Sequence, residues 1–279
     1  MGSLSLEEIK KVELDALCEL DRVCKAHGLS YFLAYGTLLG ALRHQGFIPW
    51  DDDIDVYMPR EDYERFYGLC RDGALRDPYR IASYRDGSSI YGFLKLVDTR
   101  TVARETFVSR GAPLGLWVDI IPLERLDITD PRLRRTTRRA RRLLSWRFLA
   151  ATDPRYAASS VARVIKWLIY PLTRRIDPYR VARRADELAR AANAGGDVRP
   201  EDVRYAPLVD DVTDRNILSP EDLFPVRRVS FEGRTFDAPA RAENVLSSYY
   251  GDWRRIPTVS ERPPAHLRQV TWAEGIPGT

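Results

Sequence analysis

Residues 46–56 read Gly-Phe-Ile-Pro-Trp-Asp-Asp-Asp-Ile-Asp-Val, which places four carboxylates within five positions. The apolar residues that alternate after them predict a β-strand over residues 54–58. Successive side chains of a strand point to opposite faces, so three of the acids are expected to share one face: Asp51, Asp53 and Asp55. Asp52 is expected to point the other way.

The three acids on one face predict a metal site. Carboxylates a few ångström apart repel one another and stay charged only with a cation between them. Their hard oxygen atoms suit Mg²⁺, or Mn²⁺, which proteins hold with carboxylates together with substrate phosphates. The alternative is an exposed acidic turn, which is the usual reading of an isolated Asp-Asp-Asp. The stiff and bulky Pro49-Trp50 pair and the apolar alternate face favour the metal site.

A Gly36-Thr37 pair precedes the acidic segment. A short strand is predicted over residues 29–34, followed by a turn at this pair and one or two helical turns over residues 38–43. The free amides at the start of such a helix would face whatever the turn holds, a geometry that favours phosphate. A Gly-Thr pair alone is weak evidence, but it is stronger when an acidic strand follows.

Asp119 is an isolated acid within the apolar stretch 115–123. A carboxylate among Trp, Val and Ile side chains is costly to bury without a partner. A metal shared with Asp53 and Asp55 would supply that partner, so Asp119 is predicted to join the same site. The alternative is an aspartate that caps a turn at the end of the strand.

The composition changes at residue 131. Eight arginines and no acid lie between there and Phe148: Arg132, Arg134, Arg135, Arg138, Arg139, Arg141, Arg142 and Arg147. Leucine and aromatic residues accompany them, so residues 132–148 predict a basic helix with a partial apolar stripe. Two more helices are predicted over residues 157–170 and 179–194. The arginines form either a solvated helix face, or a contact with an anionic membrane or a phosphate-bearing, lipid-linked acceptor.

Capping and turn signals outline other elements. Ser5 and Glu8 form a capping-box pattern ahead of an amphipathic helix that Gly28 can end. Residues 229–239 predict a β-hairpin that turns near Glu232-Gly233. A further helix is predicted over residues 240–250.

The bulk composition indicates a globular protein. The chain has 279 residues, a formal net charge of +4 and 44% hydrophobic residues, enough to bury a substantial core. Its three cysteines lack metal-ligand spacing and predict free thiols in a reducing cytosol. Neither a signal peptide nor an apolar run of membrane-spanning length is evident. A cytoplasmic protein is expected, with peripheral contact at the inner face of the membrane left open.

Three segments resemble the signature of the LicD family: residues 35–41 (Tyr-Gly-Thr-Leu-Leu-Gly-Ala), the pair Arg43-His44, and residues 46–56. The family includes bacterial phosphocholine transferases and animal fukutin-type proteins, and it belongs to the nucleotidyltransferase-fold superfamily. The superfamily pattern is a Gly-Ser or Gly-Thr turn, an Asp-x-Asp strand and a third acid on a later strand. Asp119 stands where that third acid is expected.

The resemblance implies an α/β (α+β) fold, with a nucleotidyltransferase-like mixed β-sheet core flanked by helices and a basic helical insertion. Residues 1–130 would form the catalytic core and residues 131–200 the arginine-rich helical insertion. Residues 201–279 would form a C-terminal hairpin-helix portion that packs on the core. A late histidine, His266, also fits the family's C-terminal pattern, although a single histidine in a tail is more often incidental.

The resemblance also implies roles for individual residues. Asp53, Asp55 and Asp119 are the expected catalytic residues, and together with Asp51 they are the expected metal ligands. Asp119 would complete a second metal position or accept the proton of an attacking hydroxyl. The expected substrate-binding residues are Gly36, Thr37, Arg43, His44 and Lys95. For Lys95, a solvent-facing position is the alternative to a phosphate contact, because strand lysines usually face water.

By resemblance, the enzyme would move a phospho-alcohol, such as phosphocholine or ribitol phosphate, from a CDP-activated donor to a glycan hydroxyl and release CMP. The acceptor would be a cell-surface glycan or its lipid-linked precursor, as in lipopolysaccharide or teichoic acid modification. The alternatives are a nucleotidyltransferase that moves NMP from an NTP to a small acceptor, and a non-catalytic glycan-assembly scaffold. Nucleic acid is not an expected partner, since no nucleic-acid module is recognised.

Overall fold

The computed structural model describes residues 3–106, 108, 110, 114–153, 155, 160–193 and 198–274. The α-helices are α1 (Leu6–His27), α2 (Tyr35–His44), α3 (Arg60–Arg71), α4 (Leu133–Ala151), α5 (Ser160–Thr173), α6 (Pro178–Ala192), α7 (Pro220–Leu223) and α8 (Ala242–Tyr250). The strands are β1 (Phe32–Leu33), β2 (Ile54–Pro59), β3 (Tyr79–Ala82), β4 (Leu94–Asp98), β5 (Thr101–Glu105), β6 (Trp117–Asp127), β7 (Val203–Ala206), β8 (Arg227–Phe231), β9 (Arg234–Ala238) and β10 (Leu267–Trp272).

Six of these strands form one mixed sheet at the centre of the molecule. Five follow the order β1-β2-β6-β4-β3, and β7 pairs with the far end of β6. β2 and β6 run parallel, whereas the other neighbours are antiparallel. Parallel neighbours bring the same ends of two strands to one edge of a sheet. The mixed α/β fold class is therefore confirmed, and the strand predicted over residues 54–58 is β2.

The first helix follows its capping signals. The Ser5 hydroxyl accepts a hydrogen bond from the Glu8 backbone N–H at 3.3 Å, and the Glu8 carboxylate accepts one from the Ser5 N–H at 2.7 Å. Gly28, at φ 63°, ends α1 in the left-handed conformation that favours glycine. The apolar stripe of α1 is buried against the central sheet, so the predicted helix is confirmed.

The start of α2 differs from the prediction. The helix begins at Tyr35 rather than at residue 38, and the preceding strand shortens to β1. Gly36 and Thr37 therefore lie in the first turn of α2. Tyr35 has a φ of 41°, a conformation that bulky side chains rarely adopt. Its hydroxyl donates to Asp210 at 3.1 Å and accepts from the Asn216 amide at 3.2 Å, and both contacts hold the residue in place.

Helices α4, α5 and α6 lie between β6 and β7 along the chain, and α4 packs against both of the others. Residues 157–159 and 194, at the ends of two predicted helices, lie outside the described residues. Arg60 of α3 forms a buried ion pair with α6, since its guanidinium lies 2.9 Å from an Asp186 carboxylate oxygen. Arg60 also contacts Glu124 of β6, so it connects α6 to the sheet. No described helix has the length and apolar character needed to cross a membrane.

The C-terminal elements reach the core in several places. Strands β8 and β9 form the predicted hairpin, and Glu232 and Gly233 occupy its turn with positive φ angles. Helix α8 begins two residues later than predicted. Strand β10 pairs with β5 outside the central sheet. His266, the residue just before β10, lies next to the acidic segment as a result. The three cysteines are free thiols.

Candidate active site

The parallel pairing of β2 and β6 brings the predicted acids together. Asp55 lies directly opposite Asp119 on the neighbouring strand. Asp51 and Asp53 lie in the irregular segment that enters β2. Ligand atoms of Asp51, Asp53 and His266 all fall within 4.8 Å of one another. The two distant parts of the sequence that carry the acids therefore meet at one edge of the sheet.

Asp52 holds the C-terminal segment; β2 begins at Ile54, so the predicted strand alternation does not extend to residues 51–53. The two Asp52 carboxylate oxygens accept the backbone N–H groups of His266 and Leu267 at 3.0 and 2.9 Å. The His266 Nδ1 atom then lies 2.7 Å from an Asp53 carboxylate oxygen. This hydrogen bond raises the pKa of His266 to about 9. The late histidine is thus part of the acidic site.

Gly36 makes room for the acid cluster. A Cβ atom at this position would lie 2.6 Å from a carboxylate oxygen of Asp51, closer than real contacts allow. The neighbouring Thr37 is buried, and its hydroxyl oxygen accepts the backbone N–H of Asp55 at 2.9 Å. The Gly-Thr pair therefore packs the first turn of α2 directly against the strand that carries the acids.

Lys95 faces Asp119 from the adjacent strand β4. Its ammonium group lies 2.7 and 3.1 Å from the two carboxylate oxygens, and the residue is only 1% exposed. The rings of Tyr91 and Trp117 flank the ammonium at 4.4 and 4.1 Å, a favourable cation–π arrangement. Burial raises the pKa of Asp119 to about 6, although Lys95 opposes this shift. The solvent-facing alternative for Lys95 is wrong.

Burial dominates the charge state of the other acids as well. It raises the pKa of Asp51 to about 7, with the Asp53 charge adding to the effect. It raises the pKa of Asp55 far above the ordinary value, and repulsion from Asp53 and Asp119 adds to this. Each shift reflects negative charge with too little compensation. A bound cation would relieve it.

The acids lie between two lobes of one depression. We call these the larger lobe, of about 630 Å³, and the smaller lobe, of about 350 Å³. Tyr35, Asp53, Asp55 and His266 line both lobes. The larger lobe is further lined by aromatic and basic residues that include Trp50, Tyr250, Trp253, Arg43 and Arg255. The smaller lobe is further lined by Tyr91, Lys95, Trp117, Asp119, Arg147 and Asp210, among others.

Arg43 and His44, both predicted to bind substrate, lie in different places relative to the lobes. Arg43 lines the larger lobe and donates hydrogen bonds to the backbone carbonyls of Trp253 and Arg255 at 2.8 and 3.1 Å. His44 lines neither lobe. It accepts a hydrogen bond from Arg43 Nε at 3.0 Å and packs its ring against Trp50. Its pKa is lowered by burial and by the Arg43 charge.

Several charged residues at or near the site are not predicted as site residues, among them Asp210, Arg147 and Glu13. Asp210 receives the Tyr35 hydroxyl and lines the smaller lobe. Arg147 of α4 also reaches this lobe, and its guanidinium carbon lies 4.5 Å from the Tyr91 ring centroid. Glu13 of α1 is 2% exposed, and burial with repulsion from Asp53 raises its pKa. Glu13 and Arg147 each interrupt the buried stripe of a helix, which is a detectable sequence signal.

Comparison with known proteins gives one family match and one relative of similar length. The profile of the LicD/FKTN/FKRP nucleotidyltransferase domain matches residues 28–91. Over 97% of its length the chain is 27% identical to the lipopolysaccharide cholinephosphotransferase LicD of Haemophilus influenzae, of which it covers 99%. The chain is thus similar to a LicD protein over almost its whole length.

Two other proteins match shorter parts of the chain. Over 40 residues, 14% of this chain, the identity to the human ribitol 5-phosphate transferase FKRP is 50%, and the match covers 8% of that protein. An uncharacterized protein of Rickettsia prowazekii, RP689, is 30% identical over 101 residues, or 38% of its length. The residues matched by the LicD-family profile carry Gly36, Thr37 and the four clustered aspartates.

Proposed function

We propose that this protein transfers a phospho-alcohol, such as phosphocholine or ribitol phosphate, from a CDP-activated donor to a glycan hydroxyl and releases CMP. The observation that carries the proposal is the convergence of Asp53, Asp55 and Asp119 between two lobes of one depression. The names of the two relatives, a cholinephosphotransferase and a ribitol 5-phosphate transferase, support this reaction class.

The acid cluster fits a divalent cation. Its donors are carboxylate oxygens with one imidazole nitrogen nearby, a set that suits Mg²⁺ and also Mn²⁺. The raised pKa values of Asp51 and Asp55 are the signature of excess negative charge in a buried site. Asp51, Asp53, Asp55 and Asp119 would hold the cation. When bound, it would neutralise charge on the diphosphate oxygens of the donor.

The two lobes suit the two groups that exchange at phosphorus, which are the incoming acceptor hydroxyl and the leaving CMP. The acceptor oxygen forms a bond to the phosphorus that carries the alcohol, and the bond from that phosphorus to the bridging oxygen breaks. CMP keeps this oxygen and leaves roughly in line with the attacking hydroxyl. The nucleotide and the acceptor therefore approach from opposite sides of the acids.

The larger lobe fits the nucleotide. Its aromatic residues Trp50 and Tyr250, the second of which is exposed, offer surfaces on which a base can stack, and Arg43 offers positive charge for phosphate. The smaller lobe then receives the acceptor hydroxyl next to Asp119. There Asp119 would take the proton of the hydroxyl, which is the alternative to a place among the ligands of the cation. Lys95 holds the carboxylate in position.

A substrate panel tests the proposal against its main alternative. The purified protein with Mg²⁺ is incubated with several CDP-alcohols, and separately with nucleoside triphosphates plus sugar phosphates. CMP from the first set, lost in Asp53→Asn, is the expected result. Pyrophosphate from the second set, with CDP-alcohols unchanged, would indicate nucleotidyl transfer and overturn the proposal. No product from either set, in a protein that also fails to bind CDP-alcohols, would favour a scaffold role.

A further inference from the structure

Helix α5 carries an exposed apolar stripe. Four large apolar side chains are more than half exposed: Val164 at 59%, Trp167 at 52%, Leu168 at 75% and Leu172 at 66%. Their spacing of three, four and eight residues from the first places them on one side of the helix. Single exposed apolar residues are ordinary on a protein surface, whereas a continuous patch marks an interaction site.

The segment that carries this stripe is basic. Residues 131–176 contain thirteen arginines and lysines but one acid, Asp153. Arg163 and Lys166 lie on α5 outside the apolar stripe, and the Lys166 ammonium lies 5.0 Å from the ring centroid of Phe148 on α4. Phe148 is itself 54% exposed. Phe148 is thus a further exposed apolar side chain close to α5.

Five arginines of α4 are exposed and free of carboxylates. Within the part of the chain that the structure describes, no acid lies in ion-pair range of Arg134, Arg135, Arg138, Arg139 or Arg142. Positive charge that the protein leaves uncompensated is available to an anionic surface. Arginine on a flexible stem can also keep its charge in the head-group layer while its methylenes contact apolar material.

We propose that α5 lies in the head-group layer of an anionic lipid bilayer, with its apolar stripe inserted and the arginines of α4 attracted to the lipid charge. The helix has 14 residues, a length of about 21 Å, which is too short to span a hydrocarbon core of about 30 Å. An amphipathic helix of this kind lies parallel to the membrane plane. The sequence predicts membrane contact at residues 132–148, whereas the inserted element is α5.

A bilayer fits this surface better than a second copy of the chain. Two copies joined through α5 would bring two arginine-rich helices towards each other without acids to offset them. A nucleic acid would use the arginines but leave the leucines exposed to water. The proposal does not depend on the reaction proposed above, since membrane binding is measured without any substrate.

Vesicle co-sedimentation tests the proposal. The full chain is mixed with phosphatidylcholine vesicles, with or without phosphatidylglycerol. Binding is expected to the anionic vesicles only and to weaken as salt increases. Replacing Leu168 and Leu172 together by serine should reduce binding by at least about tenfold, because both leucines lose their apolar contact. Val259→Ser, at a valine that is 77% exposed outside this surface, is the matched control and should bind like the wild type.

The arginines give a second test. Arg134→Gln, Arg135→Gln, Arg138→Gln and Arg139→Gln combined should weaken both the binding and its salt dependence, because these side chains supply much of the electrostatic attraction. Equal binding to neutral and anionic vesicles, or unchanged binding of the double serine variant, would overturn the proposal. So would a concentration-dependent dimer that the serine variant abolishes, since the stripe would then be a contact between copies. Unchanged circular dichroism of each variant excludes misfolding.

Discussion

Crowded negative charge defines the site at the level of single residues. Asp51, Asp53, Asp55 and Asp119 approach one another because Gly36 lacks a side chain and Lys95 balances one of the four. Such an arrangement destabilises a folded protein when no cation is bound, since like charges are held close in a partly dry environment. The site therefore sacrifices stability for a preorganised set of ligands.

The variant Asp55→Asn tests two effects of this charge separately: its effect on the stability of the fold and its role in binding Mg²⁺. Without Mg²⁺, the variant should unfold at the same temperature as the wild type or higher, because one of the repelling charges is gone. With Mg²⁺, the wild type should gain stability as a ligand-bound protein does, and the variant should gain less. Transfer activity should fall by several orders of magnitude. Thermal unfolding with and without Mg²⁺, together with CMP release, measures these effects.

Glu221→Gln is the control for that comparison, because the Glu221 side chain is 68% exposed and lies outside both lobes. It should change neither the response to Mg²⁺ nor the activity. Full activity in a folded Asp55→Asn protein with excess Mg²⁺ would remove Asp55 from the proposed ligand set.

At the scale of a secondary-structure element, α4 combines two kinds of arginine. Arg147 shares the buried side of the helix with Ala140 and Ala151, which are seven residues before it and four after. It therefore points into the smaller lobe, whereas Arg142 on another side of the helix is exposed. The run of arginines predicts one shared role for all of them. Their positions around the helix instead place Arg147 at the site and Arg142 on the surface.

Arg147→Gln should lower the catalytic efficiency with the glycan acceptor and leave the affinity for the CDP-alcohol unchanged. If the smaller lobe receives the acceptor, loss of a charged hydrogen-bond donor there should lower kcat/KM for the acceptor by roughly 10- to 100-fold. The Kd for a CDP-alcohol, measured by calorimetry, should stay unchanged because the nucleotide occupies the larger lobe. Arg142→Gln is the matched control and should behave like the wild type. A weaker Kd for the donor in Arg147→Gln would reverse the assignment of the lobes.

At the scale of the whole molecule, the sequence predicts the elements that depend on neighbouring residues. It does not predict the contacts of His266 and Asp210, whose partners are far away in the chain. The capping box of α1, the strand β2 and the hairpin at Glu232 follow from neighbouring residues, and the resemblance supplies Asp119 as the third acid. His266 meets Asp52 across 214 positions of the sequence, and no pattern near His266 reveals that contact. Asp210 is likewise brought to Tyr35 by the fold.

A buried ion network links the arginine-rich helices to the sheet. The Arg60 guanidinium of α3 contacts Glu124 of β6, Glu64 at 2.9 Å and Asp186 of α6 at 2.9 Å. The side chains of Glu124 and Asp186 have no exposure to solvent. Arg60 is thus the ion-pair partner of the buried Glu124, whereas Asp186 also pairs with Arg190 at 2.6 Å and Arg85 at 3.3 Å. Through Asp186, Arg60 joins an element of residues 131–200 to the rest of the chain.

Arg60→Met should therefore cost about 3–5 kcal/mol in free energy of unfolding, because the buried Glu124 carboxylate loses its ion-pair partner and Asp186 loses one of its three. Arg65→Met on the same helix is the control. The Arg65 side chain is 53% exposed and pairs with Asp62 at 3.0 Å, so its loss should cost at most about 1 kcal/mol. Urea unfolding measures both values. Because Arg60 holds α6 to the sheet, limited proteolysis of Arg60→Met should also cut near α6 earlier than in the wild type. Equal stability of the two variants would mean that apolar packing, rather than this ion network, fixes α6 to the core.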